Sequence, residues 1–257
     1  MFNTIFPYFS FVLGLCLGSF YNVCIYRYIN NMSIIYPKSH CPNCKHELSW
    51  WENIPLISFL LLKGRCRVCK NPISIRYPLV ELISGLWSFF LAIKFGLSLM
   101  WIIFLFFGGI FIISSFIDLE IFILPDILIL PGSLIAILLG IFYIYSDWKI
   151  PVLGALIGSG IFWIIQVSYK LIRKTEGLGT GDIKLMFMIG ALVGYYKIVS
   201  VIFIGSITAL IASLYYMKKS SQGLKTMIPF GPFLCLGAMI TILLTNSRFS
   251  SMPLLGF

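Results

Sequence analysis

The chain has 257 residues, of which 59% are apolar, 16% aromatic and 11% charged, and its formal net charge is +10. A soluble domain carries about 25% charged residues, so nineteen Lys and Arg with nine Asp and Glu cannot coat a globule of this length. These figures exclude a soluble enzyme, a disordered chain and a nucleic-acid-binding domain, and leave a polytopic membrane protein.

Eight apolar runs, at about 5–26, 78–95, 97–117, 127–145, 151–172, 182–195, 198–217 and 228–244, predict an all-α integral membrane protein of about eight transmembrane helices. Each run is continuous and does not alternate, which suits a helix and not a barrel strand. The first is too long, and too poor in early basic residues, for a cleaved signal peptide. The expected organisation is a first helix at 1–27, an extramembrane loop at 28–77 and a helical membrane domain at 78–257.

The loop sets the orientation. Residues 27–76 hold Arg27, Lys38, Lys45, Lys63, Arg65, Arg67, Lys70 and Arg76 against only Glu47 and Glu52. If that loop is cytoplasmic, the inner side carries fifteen Lys and Arg and the outer side four, Lys94, Lys149, Lys197 and Arg248. Positive residues collect on the cytoplasmic side, so both termini are expected outside. The inner basic loops are expected to rest on anionic lipid.

The same loop carries C-P-N-C (41–44) and C-R-V-C (66–69). Two such knuckles suit a four-thiolate structural zinc site on Cys41, Cys44, Cys66 and Cys69. A loop this small has little core of its own, and a metal supplies the missing folding energy. Two disulfides or a redox pair compete with that reading, but a cytoplasmic loop disfavours disulfides. His40 and His46 flank the first knuckle and could substitute as ligands, but read as exposed loop residues. Cys16, Cys24 and Cys235 read as small packing residues within spans.

Beyond the loop, Glu81 lies inside the second run and needs a partner; a basic residue or a catalytic task are both open. Asp118, Glu120, Asp126, Glu176 and Asp182 fall at the inner ends of runs, where acids are functional candidates. Asp118 ends the third run. Asp182 opens the sixth, which has only about 14 residues, directly after G-L-G-T-G (177–181). Two aspartates at one depth on separate helices can share a proton and hold a water, as in an aspartic protease. Helix capping is the plain alternative for Asp126 and Asp182. Helix dipoles favour Asp182 as the ionised base and Asp118 as the protonated acid.

These residues fall into a known pattern. G-S-F-Y-N-V-C-I-Y-R (18–27), the two cysteine knuckles, R-Y-P-L-V-E-L (76–82), D-L-E-I-F-I-L-P-D (118–126), G-T-G-D-I-K-L (179–185) and I-P-F-G-P (228–232) together resemble the type IV prepilin peptidases. The resemblance covers nearly the whole chain in order. It implies a G-x-G-D aspartic endopeptidase of the bacterial cytoplasmic membrane. Such an enzyme removes basic leader peptides from prepilins and pseudopilins at the cytoplasmic face, and many members then N-methylate the new terminus with S-adenosylmethionine. The family's catalytic aspartates fall on Asp118 and Asp182. Gly179, Gly181, Asp126, Lys184, Pro229, Gly231 and Pro232 are expected to support that site. Lys184 is expected either to hold the pair ionised or to bind lipid phosphate. Gly18, Ser19, Asn22, Arg27 and Glu81 are candidates for the methyl-transfer side, with helix packing (Gly18, Ser19) and snorkelling (Arg27) as alternatives. Glu120, Asp126 and Glu176 are expected to receive the basic leader. A peptidase without methyl transfer would lack the cysteine loop, and a transporter would show internal repeats and midplane charges; neither matches this sequence.

Overall fold

In the computed structural model, residues 2–174, 179–219 and 228–245 are described. Glu176, Gly177, Lys225 and Arg248 lie outside them, as do the side chains of Lys218 and Lys219. The described residues form nine α-helices and no strand beyond two isolated bridges. The helices are α1 Phe2–Ile29, α2 Ile57–Leu61, α3 Arg76–Phe95, α4 Leu99–Ile121, α5 Asp126–Leu139, α6 Lys149–Arg173, α7 Thr180–Val193, α8 Ile198–Lys219 and α9 Gly231–Leu244. All but the short α2 coincide with the eight apolar runs to within a few residues, α5 being continued by a π-helical turn at Gly140–Ile144.

Among the described residues, six helices are long and apolar enough to cross a bilayer. Together they make this a multi-pass membrane protein. Two of the eight expected helices are short, the sixth as its run of about 14 residues predicts and the eighth as well. Helices α7 and α9 have 14 residues each, about 21 Å at 1.5 Å per residue, against a hydrocarbon core of about 30 Å.

The chain divides inside α4 into two compact units, one reaching to Ile113 and one beginning at Ser114. In the first, α1 packs along α3. Polar contacts lock that seam. The Ser10 hydroxyl sits 2.9 Å from the Ser88 carbonyl, and Trp101 Nε1 donates to Ser10 Oγ at 3.0 Å. Sequestered hydroxyls of this kind glue helices where apolar packing alone gains little over lipid.

In the second unit, α7 packs against α5, α6 and α9. Its Leu185, Met186, Met188, Ile189, Ala191 and Leu192 are wholly buried. The α6–α7 crossing is as close as backbones allow. A Cβ on Gly154 would lie 2.2 Å from the Gly190 carbonyl oxygen, and one on Gly190 would lie 2.1 Å from that of Gly154. Small residues at such a crossing let a short helix pack closely against its neighbour.

Candidate active site

Asp118 lies in the last turn of α4 and is 5% exposed; Asp182 lies in the first turn of α7 and is 8% exposed. Both belong to the second unit. Their carboxylates are close enough for their charges to interact. Local structure places each. Gly179 is the N-cap of α7, and Asp182, three residues on, reaches back to accept from the Gly179 backbone N–H. That is the third-residue role of a capping box, so Asp182 is not itself the N-cap. Asp118 accepts from the backbone N–H of Gly231, the first residue of α9.

This second contact changes one expectation. Asp118 sits at a helix C-terminus but also faces a helix N-terminus. The dipole argument that singled out Asp182 as the ionised partner therefore applies to both carboxylates and does not separate their roles.

The surroundings are tight. Leu124, 9% exposed, lies beneath both Gly181 and Gly231. A Cβ on Gly231 would come within 2.6 Å of Asp118 Oδ2, whereas one on Gly179 would meet Asp182 Oδ2 only at 3.7 Å. Gly231 and Pro232 open α9, with Pro229 just before the N-cap Phe230; proline is well placed there because early helical N–H groups have no partner. Cys235, 1% exposed on α9, interacts with both carboxylates and with the Ser115 hydroxyl. Sequence reading misses this proximity, since nothing in a lone cysteine marks it.

Asp126 and Lys184 pair with each other. Asp126 is the first residue of α5, after the N-cap Pro125. Lys184 Nζ donates to both of its carboxylate oxygens, at 2.9 and 2.8 Å. The lysine thus binds Asp126 and ties α5 to α7. The pair is half exposed, 37% for Lys184 and 53% for Asp126, and exposed pairs contribute about 0–1 kcal/mol. Lys184→Ala and Asp126→Asn should each lower stability by less than about 1 kcal/mol. A double-mutant cycle on thermal unfolding in detergent checks this, and a coupling of several kcal/mol would contradict it.

In the first unit, the four cysteine sulfurs lie within 4.8 Å of one another. Cys41 Sγ is 3.8 Å from Cys69 Sγ, and Cys44 Sγ is 3.9 Å from Cys66 Sγ. A tetrahedral ion with bonds of about 2.3 Å, the zinc–thiolate length, needs sulfurs about 3.8 Å apart, so the set fits a metal ion. The two knuckles share one local structure. Cys41 N–H donates to His46 and Cys66 N–H to Asn71, while Lys45 and Lys70 take the left-handed conformation at φ +59° and +60°. The backbone N–H of Cys69, ahead of that of Val68, points at the Cys66 sulfur and pulls its pKa down to about 6.

Neither histidine joins the sulfurs. His46 Nε2 is 3.3 Å from Glu52 Oε2, and His40 Nδ1 contacts the Lys38 carbonyl. Glu52 is 7% exposed. Burial works to raise its pKa, but the Ser49 N–H, at 2.8 Å, and His46 hold it below the usual carboxylate range. The S-x-x-E spacing of Ser49 and Glu52 is the sequence signal for this brace.

The remaining candidates cluster near this loop. Gly18 lies against the α3 backbone at Glu81. Asn22 donates to the carbonyls of Gly18 and Tyr77, at 3.3 and 3.0 Å. Arg27 does not snorkel to the surface. It is 5% exposed and donates to the carbonyls of Ser33, Ile34 and Pro37, folding the chain back after α1. Glu81 finds no basic partner among the described residues. Its carboxylate accepts from the Leu56 backbone N–H at 2.8 Å and from the Ser19 hydroxyl.

Two family patterns match the chain: the bacterial peptidase A24 N-terminal domain over residues 12–95, and the type IV leader peptidase family over residues 105–214. The prepilin leader peptidase/N-methyltransferase of Pseudomonas putida is 32% identical over 96% of this chain and 93% of its own length. The chain belongs to the type IV leader peptidase family. The protein of the same name from Stutzerimonas stutzeri is 34% identical over 91% of this chain and 89% of its own. That of Myxococcus xanthus is 39% identical over 86% and 66%. No solved structure matches the chain. Family membership accounts for two chemistries in one chain, and each unit holds a cluster of buried polar groups.

Proposed function

We propose that this protein removes the basic leader peptide from type IV prepilins or pseudopilins and then methylates the amine it uncovers. The proteolytic half is carried by one observation: two buried aspartates, on α4 and α7, interact at helix ends. In this reading Asp118 and Asp182 hold one water. One carboxylate takes a proton from that water as it attacks the peptide carbonyl, and the other, protonated, donates to the carbonyl oxygen. The Gly231 and Gly179 N–H groups orient the two carboxylates. Gly181 and Leu124 form the floor, Pro229 and Pro232 shape the entry to α9, and the Asp126–Lys184 pair braces the start of α7. Glu120, and Glu176 beyond the described residues, would receive the basic leader.

The second half engages the first unit. Zinc on Cys41, Cys44, Cys66 and Cys69 would hold segment 28–77 folded. That segment serves methyl transfer together with the adjoining parts of α1 and α3, while the membrane domain from residue 78 onward carries the peptidase. S-adenosylmethionine supplies the methyl group, and Gly18, Ser19, Asn22, Arg27 and Glu81 line or brace the side of α1 where it would be used. The enzyme sits in the bacterial cytoplasmic membrane with the loop and the aspartates on the inner side and both termini outside. Its basic loop rests on anionic lipid.

The test gives the purified chain, in nanodiscs, a prepilin and methyl-labelled S-adenosylmethionine. A shortened pilin with label on its new N-terminus is expected. Shortening without label removes the methyl-transfer half, and neither product removes the whole reading. Gly231→Ala probes the geometry directly. Its methyl group would sit 2.6 Å from Asp118 Oδ2 and push the carboxylate aside, so cleavage should fall about 10- to 100-fold while circular dichroism is unchanged. Full activity in that variant would contradict a working role for this contact.

A further inference from the structure

A cavity of about 250 Å³ opens in the first unit, lined by Cys16, Ser19, Phe20, Val23, Ser39, Asn53 and Pro55. Positions 16, 19, 20 and 23 form one stripe of α1, and the loop segment 39–55 supplies the opposite wall. Behind the Ser19 wall lies Glu81, 8% exposed, with the Ser19 hydroxyl donating to its carboxylate.

Three features distinguish this place from ordinary packing. Glu81 is a buried acid held by a hydroxyl and a backbone N–H, with no cation beside it among the described residues. The backbone N–H it accepts belongs to Leu56, a residue at φ +59°, a conformation that costs a branched side chain energy. One turn beyond Ser19, the 2% exposed Asn22 carries an Oδ1 with no hydrogen-bond partner among the described residues. The layer therefore holds spare acceptors and lacks a donor.

The Ser19 contact and the shape of the cavity together narrow the ligand. Toward an ionised Glu81 the Ser19 hydroxyl gives its proton, and Ser19 Oγ then offers only lone pairs to the cavity. A group with N–H bonds satisfies them, and a sulfonium or a nucleobase ring face does not. The volume is at the small end for ligand pockets, about 300–1,000 Å³. It suits the first residue of a peptide, with Phe20, Val23 and Pro55 against an apolar side chain. We propose that this cavity receives the free N-terminal amine of the processed substrate, and that Ser19 passes the amine's proton to Glu81 during methyl transfer. The inference rests on the methyl-transfer half of the proposed function. The amine lone pair forms the new N–C bond, and the C–S bond of the sulfonium methyl donor breaks with its electron pair returning to sulfur. The amine proton moves to Ser19 Oγ as the Ser19 proton moves to Glu81, which then releases it to water. Ser19 touches the substrate; Glu81 acts through it.

The experiment uses the full chain in nanodiscs, a pre-cleaved peptide and labelled S-adenosylmethionine. Glu81→Gln keeps an oxygen to accept from Leu56 and Ser19 but cannot take a proton. It should lower methylation turnover about 100-fold while KM for the peptide moves less than about threefold. Ser19→Ala should lose turnover likewise, and Ser19→Thr, which keeps a hydroxyl, should recover most of it. A second readout needs no turnover. Cys16 is an exposed thiol in the cavity wall, and its alkylation, followed by mass spectrometry, should slow severalfold with saturating free-amine peptide and not with the N-acetylated peptide. Glu81→Gln turnover within threefold of the unchanged protein, or equal protection by the acetylated peptide, overturns the proposal. If the unchanged protein labels no pre-cleaved peptide, the methyl-transfer reading itself falls, and this proposal with it.

Discussion

Asp118→Asn and Asp182→Asn should each lower leader cleavage at least about 1,000-fold, and the double variant should be no worse than either alone. The size follows from the roles. A carboxylate that takes or gives a proton in the transition state contributes about 100- to 10,000-fold, and asparagine can do neither. In the proposed mechanism the two act as one unit on one water, so their losses should not add. Both side chains are buried at helix ends, on backbone N–H groups from Gly231 and Gly179. The amide oxygen of asparagine accepts the same bonds, so the helices should keep their places. Cleavage is read by the mobility shift of a prepilin, and folding by methylation of a pre-cleaved peptide, which should persist. If Asp126→Asn stops cleavage and Asp118→Asn does not, the catalytic pair is not Asp118 and Asp182.

Removing the proposed zinc should have the second large effect, and it should strike methylation harder than cleavage. Cys41→Ser or Cys66→Ser breaks a set whose sulfurs are spaced for one tetrahedral ion. Structural zinc contributes about 10–16 kcal/mol of apparent binding free energy at neutral pH. Segment 30–75 has little else: the side chains of Ile57, Leu60 and Leu61 on α2, and of Trp50, are exposed. Without metal the segment should open. Leu56 would then leave Glu81, and the wall formed by Ser39, Asn53 and Pro55 would leave α1. Bound zinc should fall from one per chain to near zero by elemental analysis, with new protease cuts between residues 30 and 75. Methylation should drop more than about tenfold, with cleavage changed less. Full zinc content in either variant, or equal loss of both activities, would contradict this account.

Much of the molecule is legible in its residue order. The eight apolar runs are helices because a backbone in lipid has no other way to satisfy its hydrogen bonds. Their ends differ from the runs by only a few residues. The knuckle spacing leads directly to the four sulfurs, because a C-x-x-C turn is a local structure and its geometry travels with its sequence. The Ser49–Glu52 brace is equally local, and its S-x-x-E signal is easily passed over beside the cysteines.

What escapes sequence reading depends on side-chain direction between distant segments. A basic residue such as Arg76, close in the chain, is the natural partner to expect for Glu81, but Glu81 accepts from Leu56 and Ser19 instead. Lys184 stands two residues from Asp182, which makes a role beside the pair plausible, yet its ammonium turns to Asp126 across the gap to α5. Cys16 reads as a packing residue, and it lies exposed in a cavity wall.

The sequence by itself determined that this is a membrane protein of helices, that four cysteines gather in one loop, and that two acids stand at the ends of apolar runs. Those are properties of composition, run length and local spacing, and each is decided within one or two turns of chain. Only the tertiary structure decided which acids share a neighbourhood, which carboxylate faces a hydroxyl and which meets a lysine. The reason is that the close crossing at Gly154 and Gly190 and the start of α9 at Gly231 orient whole helices. A rotation of a helix by one residue, about 100°, would exchange every one of those partners while leaving its apolar run unchanged.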